Sequence, residues 1–182
     1  MIVKGTAFLA RRSMLIERVG QAKWDAFFAD LQEQIPSLAA PVVASSKLPA
    51  ADFLKFSDLA VERFFAGDQR VLWMFGEKSA DWAISEGPYK AFFQSRDVRS
   101  FVTAAPALWQ AYYSAGELKA DVDEGVVDVS IHVPVQHVHF EFSVMGYVKR
   151  GLELIGTTVT RCEALKAFSL GDDHVHYRFV VR

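Results

Sequence analysis

The chain has 182 residues, of which 51% are hydrophobic and 13% aromatic, and its formal net charge is −2. This length and composition are typical of a globular domain with a full hydrophobic core, and they exclude a disordered chain. The small net charge provides no field of one sign that would attract nucleic acid or an anionic membrane surface, and the apolar stretches are shorter than the roughly 20 residues of a membrane span.

Residues 1–115 show mainly helical periodicity. A short strand or extended lead-in over residues 2–6 comes first. The spacing of apolar residues, together with capping residues and terminal glycines, predicts helices over residues 7–19, 23–34, 49–67, about 68–86 and 97–115. Tyr89, Phe92 and Phe93 are expected on a short helical turn between the last two helices.

Prolines interrupt this helical pattern at three places. The stretch 36–49 contains three prolines and three serines, and it predicts a loop within the domain. Gly87-Pro88 is expected to end the helix 68–86. Pro106 is expected to kink the helix 97–115 or to split it in two.

Residues 116–182 are rich in sheet patterns. Apolar and polar residues alternate over 118–122 and 127–133 around a turn at 123–125, which predicts a hairpin with one buried face. Helical spacing returns from Phe140 to Ile155, Gly156 is expected to cap that helix, and strands follow over residues 157–164 and 175–181. The whole chain, 1–182, is therefore predicted to be one α+β domain, with an antiparallel sheet of about four strands and a helical layer on one face.

Histidines are the most suggestive chemical feature of the sequence. All five lie in the last third of the chain, at His132, His137, His139, His174 and His176. Two His-x-His pairs on neighbouring strands would bring four imidazole nitrogens together, as a zinc, copper or iron site requires. His174 and His176 are the candidate metal ligands, because they share the polar face of the last strand. Ordinary hydrogen-bonded or solvated histidines are the alternative.

The sequence contains no recognisable catalytic motif. It lacks Gly-x-Ser-x-Gly and the glycine-rich phosphate-binding patterns. The single cysteine, Cys162, excludes an internal disulfide and suits the reducing cytoplasm, where we expect the protein to be located. We interpret Cys162 as a buried structural thiol, because no basic motif lies near it.

Aromatic residues crowd the segment 73–113, and they favour an apolar pocket between the helices and the sheet. We predict that this pocket is lined by Phe75, Trp82, Phe101, Trp109, Tyr112, Tyr147 and Gly151. Glycines also recur every five residues along the last helix, at Gly146, Gly151 and Gly156. Interior glycine is unfavourable in a helix, so we expect close packing there, with a ligand or a second subunit as alternatives.

Both ends of the chain resemble known families. The opening Val3-Lys4-Gly5-Thr6-Ala7-Phe8 resembles the start of haem-nitric-oxide-binding (H-NOX) domains and of an uncharacterised myxobacterial paralogous family. The C-terminal block, with its spaced glycines and final Tyr177-Arg178-Phe179, is similar to the end of that family and of vinyl-reductase-type small-ligand-binding domains. The resemblance implies an antiparallel sheet with a helical layer, and a protein that senses small molecules or assembles through its helices.

The sequence departs from H-NOX domains at the residues that bind haem. That family carries a proximal haem histidine on a helix ahead of the sheet and a Tyr-x-Ser-x-Arg motif at the propionates. Residues 7–115 contain no histidine, and Tyr112-Tyr113-Ser114 is followed by Ala115-Gly116-Glu117 without the arginine. We therefore do not expect haem bound in the H-NOX manner. The cysteine pattern of vinyl-reductase-type domains is also absent, since Cys162 is alone.

These observations lead to one main hypothesis and two alternatives. The main hypothesis is a non-catalytic sensor or small-ligand-binding domain, whose ligand is an apolar small molecule and which signals through a partner protein or its own dimer. The first alternative is a protein-interaction or scaffold domain with a filled interior. The second is a metal-dependent enzyme built on the histidines.

Overall fold

A computed structural model of the protein describes residues 1–85, 90 and 96–182. The helices of this part are α1 (Gly5–Val19), α2 (Gln21–Gln34), α3 (Ala50–Phe65), α4 (Val71–Ser85), α5 (Val98–Tyr112) and α6 (Val138–Leu154). The strands are β1 (Ile2–Lys4), β2 (Lys47–Pro49), β3 (Glu117–Asp123), β4 (Val126–His132), β5 (Val159–Lys166) and β6 (Val175–Val181). The expected helix end at Gly87-Pro88 and the turn with Tyr89, Phe92 and Phe93 lie outside the described residues.

The main sheet has four antiparallel strands in the order β3-β4-β6-β5. The predicted α+β class and the predicted hairpin β3–β4 are therefore confirmed. Val129 pairs with Tyr177 at the centre of the sheet. The side chains on one face are buried, namely Val127, Val129 and Ile131 of β4 and Val175, Tyr177 and Phe179 of β6. This alternation follows from the period of two in a strand, which sends successive side chains to opposite faces.

Two predictions concern proline-containing segments, and the structure corrects a part of each. The loop predicted over 36–49 contains a short 3-10 turn, Pro36–Leu38, and ends in β2, which pairs antiparallel with β1. Leu48 of β2 is buried and lies opposite Val3, so a long-range contact creates this strand. Pro106 does not split α5, which is continuous from Val98 to Tyr112. Pro106 itself is exposed.

Helices α4 and α6 approach each other at two glycines. A Cβ atom built on Gly146 of α6 would collide with the backbone carbonyl oxygen of Trp73, and one built on Gly76 of α4 would collide with that of Ser143. The predicted close packing is thus confirmed at Gly146, where the neighbour is helix α4. It is wrong at Gly156, because no described atom lies within 4 Å of a Cβ atom built there. Gly156 follows the end of α6 with a φ of +94°, as a residue after a helix C-terminus often does.

Glu141 of α6 anchors the connection between β5 and β6. Its carboxylate is buried, and it accepts hydrogen bonds from the backbone N–H of Ser169 at 2.9 Å and from Ser169 Oγ at 2.8 Å. The hydroxyl of Tyr177 also donates to it, at 3.3 Å. A buried carboxylate that accepts several hydrogen bonds holds the segments that donate them in one arrangement.

We expect Glu141→Gln to lower the free energy of unfolding by about 1 kcal/mol, because neutral hydrogen bonds replace charge-assisted ones in the same space. Urea denaturation followed by circular dichroism measures this change. Glu33→Gln, on an exposed position of α2, is the matched control and should leave stability unaltered. Equal stability of Glu141→Gln and the wild type would show that the carboxylate does not hold this connection.

Cys162 is exposed, which corrects the expectation of a buried thiol. It lies on β5, an edge strand of the sheet whose residues are mostly exposed. The sequence pattern of β5 does not show that it is an edge strand, so it could not indicate that its side chains stay exposed. None of the described helices combines the length and apolar character that crossing a membrane requires.

Candidate ligand-binding cavity

A cavity of about 50 Å³ lies between α1, α4, α5, α6 and the start of β3. Its walls are mainly apolar. The lining residues are Ala7, Arg11, Ser79, Phe101, Ala105, Leu108, Trp109, Tyr112, Tyr113, Leu118, Ser143, Val144, Tyr147 and Val148. Helix α5 provides the largest share, because Phe101, Ala105, Leu108 and Tyr112 recur at helical spacing along one face. The small side chains of Ala7 and Ala105 leave the space open.

Arg11 is the one ionised side chain among the described residues that line the cavity. It is only 3% exposed. Its Nη2 donates to Ser143 Oγ, whereas Nε and Nη1 have no hydrogen-bond partner in the described part of the chain. Burial lowers the pKa of Arg11 to about 10, which still leaves the guanidinium protonated near neutral pH.

Aromatic rings surround the guanidinium of Arg11. Its Cζ lies 4.9 Å from the ring centre of Phe75 and 5.9 Å from that of Phe53. Such a cation–π contact stabilises a desolvated cation by about 2 kcal/mol or somewhat more, whereas burying the ion costs several kcal/mol. No carboxylate of the described residues contributes to its charge environment.

A second buried polar pair lies near Arg11. The Tyr113 hydroxyl is 3.1 Å from His139 Nε2, and the backbone N–H of His139 donates to His137 Nδ1 at 3.0 Å. His137 Nε2 in turn lies 3.0 Å from Asp58 Oδ2. Burial, helped by the charge of Arg11, lowers the pKa of His139 well below its usual value. Burial also raises the pKa of Tyr113 to about 12, so both groups are neutral near pH 7.

The structure brings four of the seven predicted pocket residues to this cavity: Phe101, Trp109, Tyr112 and Tyr147. Phe75 lies behind the wall and contacts Arg11. Trp82 lines a separate polar cleft with Lys78 and Asp81. Gly151 is buried in α6 and is not among the lining residues. That any of these residues binds a ligand stays a prediction.

The sequence-based prediction missed Arg11 and Ser143. A signal for Arg11 exists, because Phe8, Arg11 and Leu15 occupy one face of α1 at spacings of three and four residues. A charged residue inside the apolar stripe of a helix is unusual, and it indicates a buried partner or a functional role.

The histidines have separate partners. His176 Nε2 lies 3.0 Å from Asp128 Oδ1, and Arg178 binds the same carboxylate. His174 Nδ1 lies 2.6 Å from Asp173 Oδ1, and its ring stacks on that of His132 with centres 4.6 Å apart. Within residues 1–85, 90 and 96–182, no three His, Cys, Asp or Glu side chains converge to hold a metal ion. The candidate ligands His174 and His176 thus have no third donor there.

The fold resembles that of solved H-NOX proteins. An H-NOX protein from Shewanella oneidensis in its Fe(II)NO state superposes with a TM-score of 0.76 at 13% identity, over 98% of this chain and 99% of that one. An H-NOX domain from Shewanella oneidensis in the Fe(II)CO state gives 0.75 at 15% identity, over 98% of both chains. An oxygen-binding H-NOX domain related to soluble guanylate cyclases gives 0.70 at 11% identity, over 98% and 95%.

At these identities the comparisons establish a shared fold. No protein-family model matches the chain, and no curated protein matches it in sequence. The similarity to the myxobacterial family and to vinyl-reductase-type domains therefore rests on the short sequence patterns alone.

The cavity does not fit haem. Haem iron is held by histidine, cysteine, methionine or tyrosinate. None of the first three is among the described lining residues, and residues 86–95 contain none of them either. Three of the described tyrosines line the cavity. Tyr113 is bonded to His139, and its raised pKa of about 12 disfavours tyrosinate. The rings of Tyr112 and Tyr147 pack on each other with centres 5.8 Å apart. A volume of about 50 Å³ is also far below the roughly 300–1,000 Å³ of sites for larger organic ligands.

Proposed function

We propose that this chain is a sensor domain without catalytic activity, which binds a small molecule in its internal cavity. In this proposal it signals through a partner protein or a second copy of itself. The observation that carries the proposal is the apolar cavity whose lining includes one buried charge, since protein interiors otherwise close around such space.

Two further observations support the proposal. H-NOX proteins with this fold are described as bound to NO, CO or oxygen, so the architecture accommodates small ligands elsewhere. The serines of the cavity are engaged in other hydrogen bonds, because Ser79 Oγ donates to the carbonyl of Phe75 and Ser143 Oγ accepts from Arg11. Within the described part of the chain, neither serine contacts a general base, as a nucleophile in an enzyme would.

The position of the cavity suggests how a ligand would be sensed. The cavity separates α5 from α4 and α6, and α5 leads directly into the hairpin β3–β4. A ligand that fills the cavity stabilises one of two positions of α5. The ratio of its affinities for these two positions sets how far the equilibrium between them shifts.

Ala105→Leu is expected to fill the cavity and to abolish binding of xenon, a neutral probe that enters dry apolar cavities. The measurement is the xenon-129 NMR shift with increasing protein, alongside native mass spectrometry of untagged protein for a co-purified ligand. Ala107→Leu lies two residues away on the exposed face of α5 and is the matched control. Xenon binding or an adduct in the wild type and in Ala107→Leu, but not in Ala105→Leu, supports the proposal.

A different outcome of the same experiment would contradict the proposal. Identical xenon shifts for the wild type and Ala105→Leu, with no adduct in either, would mean that the cavity takes no ligand. The scaffold alternative would then be favoured.

A further inference from the structure

We propose that the ligand of this cavity is a small carboxylate with an apolar body, and that Arg11 binds its carboxylate group. This inference rests on the proposed function, because it requires that the cavity bind a ligand at all. It concerns the chemical class of that ligand, which the fold alone does not indicate.

The guanidinium of Arg11 carries a buried positive charge that no described residue balances. A buried guanidinium without a counter-ion is strongly disfavoured, and native proteins pair or hydrogen-bond such groups. Here Nε and Nη1 have no acceptor in the described part of the chain. The neighbouring Tyr113 and His139 are neutral near pH 7, so they do not balance the charge. An anion in the cavity would supply both the missing acceptors and the missing charge.

The charge and the donors of Arg11 indicate the class of anion. One guanidinium provides one positive charge and a planar set of donors, which matches a monoanionic carboxylate. A phosphate carries more charge and is usually bound by several donors, such as a helix N-terminus or additional basic residues. Of the described lining residues, only Arg11 is basic.

The walls and the volume of the cavity indicate the apolar part of the ligand. Beyond Arg11 and the two serines, the walls are alanine, valine, leucine and aromatic side chains. One water-sized group takes about 10–15 Å³ of such space, so a cavity of about 50 Å³ accommodates roughly three to five groups. The three-carbon chain of butyrate fits this volume when its carboxylate lies against Arg11, so butyrate is a suitable probe.

The test compares butyrate with its neutral isostere butyramide by isothermal titration calorimetry. We expect the wild type to bind butyrate at least tenfold more tightly than butyramide. Arg11→Met should lose at least tenfold in butyrate affinity while its butyramide affinity stays the same. Arg12→Met, the adjacent exposed position of α1, is the matched control and should behave as the wild type. Equal affinities for butyrate and butyramide in the wild type would overturn the inference.

Stability provides a second readout that separates binding from folding. Without ligand, Arg11→Met should have a higher melting temperature than the wild type, because it removes an uncompensated buried charge and keeps an unbranched apolar side chain. Butyrate should raise the melting temperature of the wild type and not that of Arg11→Met. A lower melting temperature of ligand-free Arg11→Met would instead identify Arg11 as a structural residue.

Arg11→Lys keeps the test decisive if the methionine variant folds poorly. It retains the charge and loses the planar donors, so we expect it to prefer butyrate over butyramide with reduced affinity. Loss of that preference in Arg11→Lys would count against the inference. Xenon binding without any butyrate preference would refute the inference and leave the proposed function standing, whereas the absence of both would refute both.

Discussion

Gly146→Ala is expected to lower the free energy of unfolding by about 3 kcal/mol, although alanine ordinarily stabilises a helix interior by about 1 kcal/mol relative to glycine. The added methyl group would collide with the backbone carbonyl oxygen of Trp73. A backbone atom cannot rotate away as a side chain can, so α4 and α6 would have to separate. Guanidinium denaturation followed by circular dichroism measures the loss.

Two further variants make this test specific. Ala107→Leu adds more volume to the exposed face of α5 and should change stability by less than about 0.5 kcal/mol. Gly76→Ala places a methyl group on the opposite helix, against Ser143. Once the helices have separated, the second methyl group costs less, so the double variant should lose less stability than the two single losses added together. Wild-type stability of Gly146→Ala would contradict this close approach of the helices.

The second large effect is a loss of stability in acid that depends on His139. Its folded-state pKa is lowered well below the ordinary value, so the unfolded chain takes up a proton near pH 6.5 while the folded protein does not. The unfolded state then binds more protons, and stability falls as the pH falls below about 6.5. At pH 5 this single group accounts for a loss of about 2 kcal/mol relative to pH 8.

The measurement is the free energy of unfolding at several values between pH 5 and pH 8. Acidification acts on the whole protein, so the decisive quantity is the difference between variants. His139→Gln should be less stable than the wild type at pH 8, because it disturbs the bond to Tyr113, and should lose less stability on acidification. His132→Gln, at an exposed position, should keep the wild-type pH dependence. An equally steep loss in His139→Gln would show that His139 is not the group responsible.

The periodicity of the sequence predicted most of the fold because local patterns determine most of these elements. Helix α5 is one example, since its buried face follows the spacing of Phe101, Ala105 and Leu108. The hairpin β3–β4 is another, because alternation and a tight turn specify it locally. Strand β2 was missed because three residues carry no period, and only pairing with β1 makes them a strand.

The candidate site was predictable in part. Phe101, Trp109 and Tyr112 were found because aromatic residues on the buried side of one helix tend to share a neighbourhood. Trp82 belongs to the same aromatic-rich segment but faces a different cleft, and helical phase alone does not distinguish the two. Arg11 was missed because charged residues are usually solvated, and its pairing with Ser143 joins positions 132 residues apart.

The position of β6 between β4 and β5 has a consequence for biosynthesis. A strand at the middle of a sheet bonds neighbours on both sides, and β6 is the last of the four to leave the ribosome. Until residue 181 has emerged, β4 has one free edge and β5 has no neighbour in the sheet. The nascent chain therefore exposes unpaired strand edges that favour misassembly, and chaperones that hold such edges should associate with it until translation has passed β6.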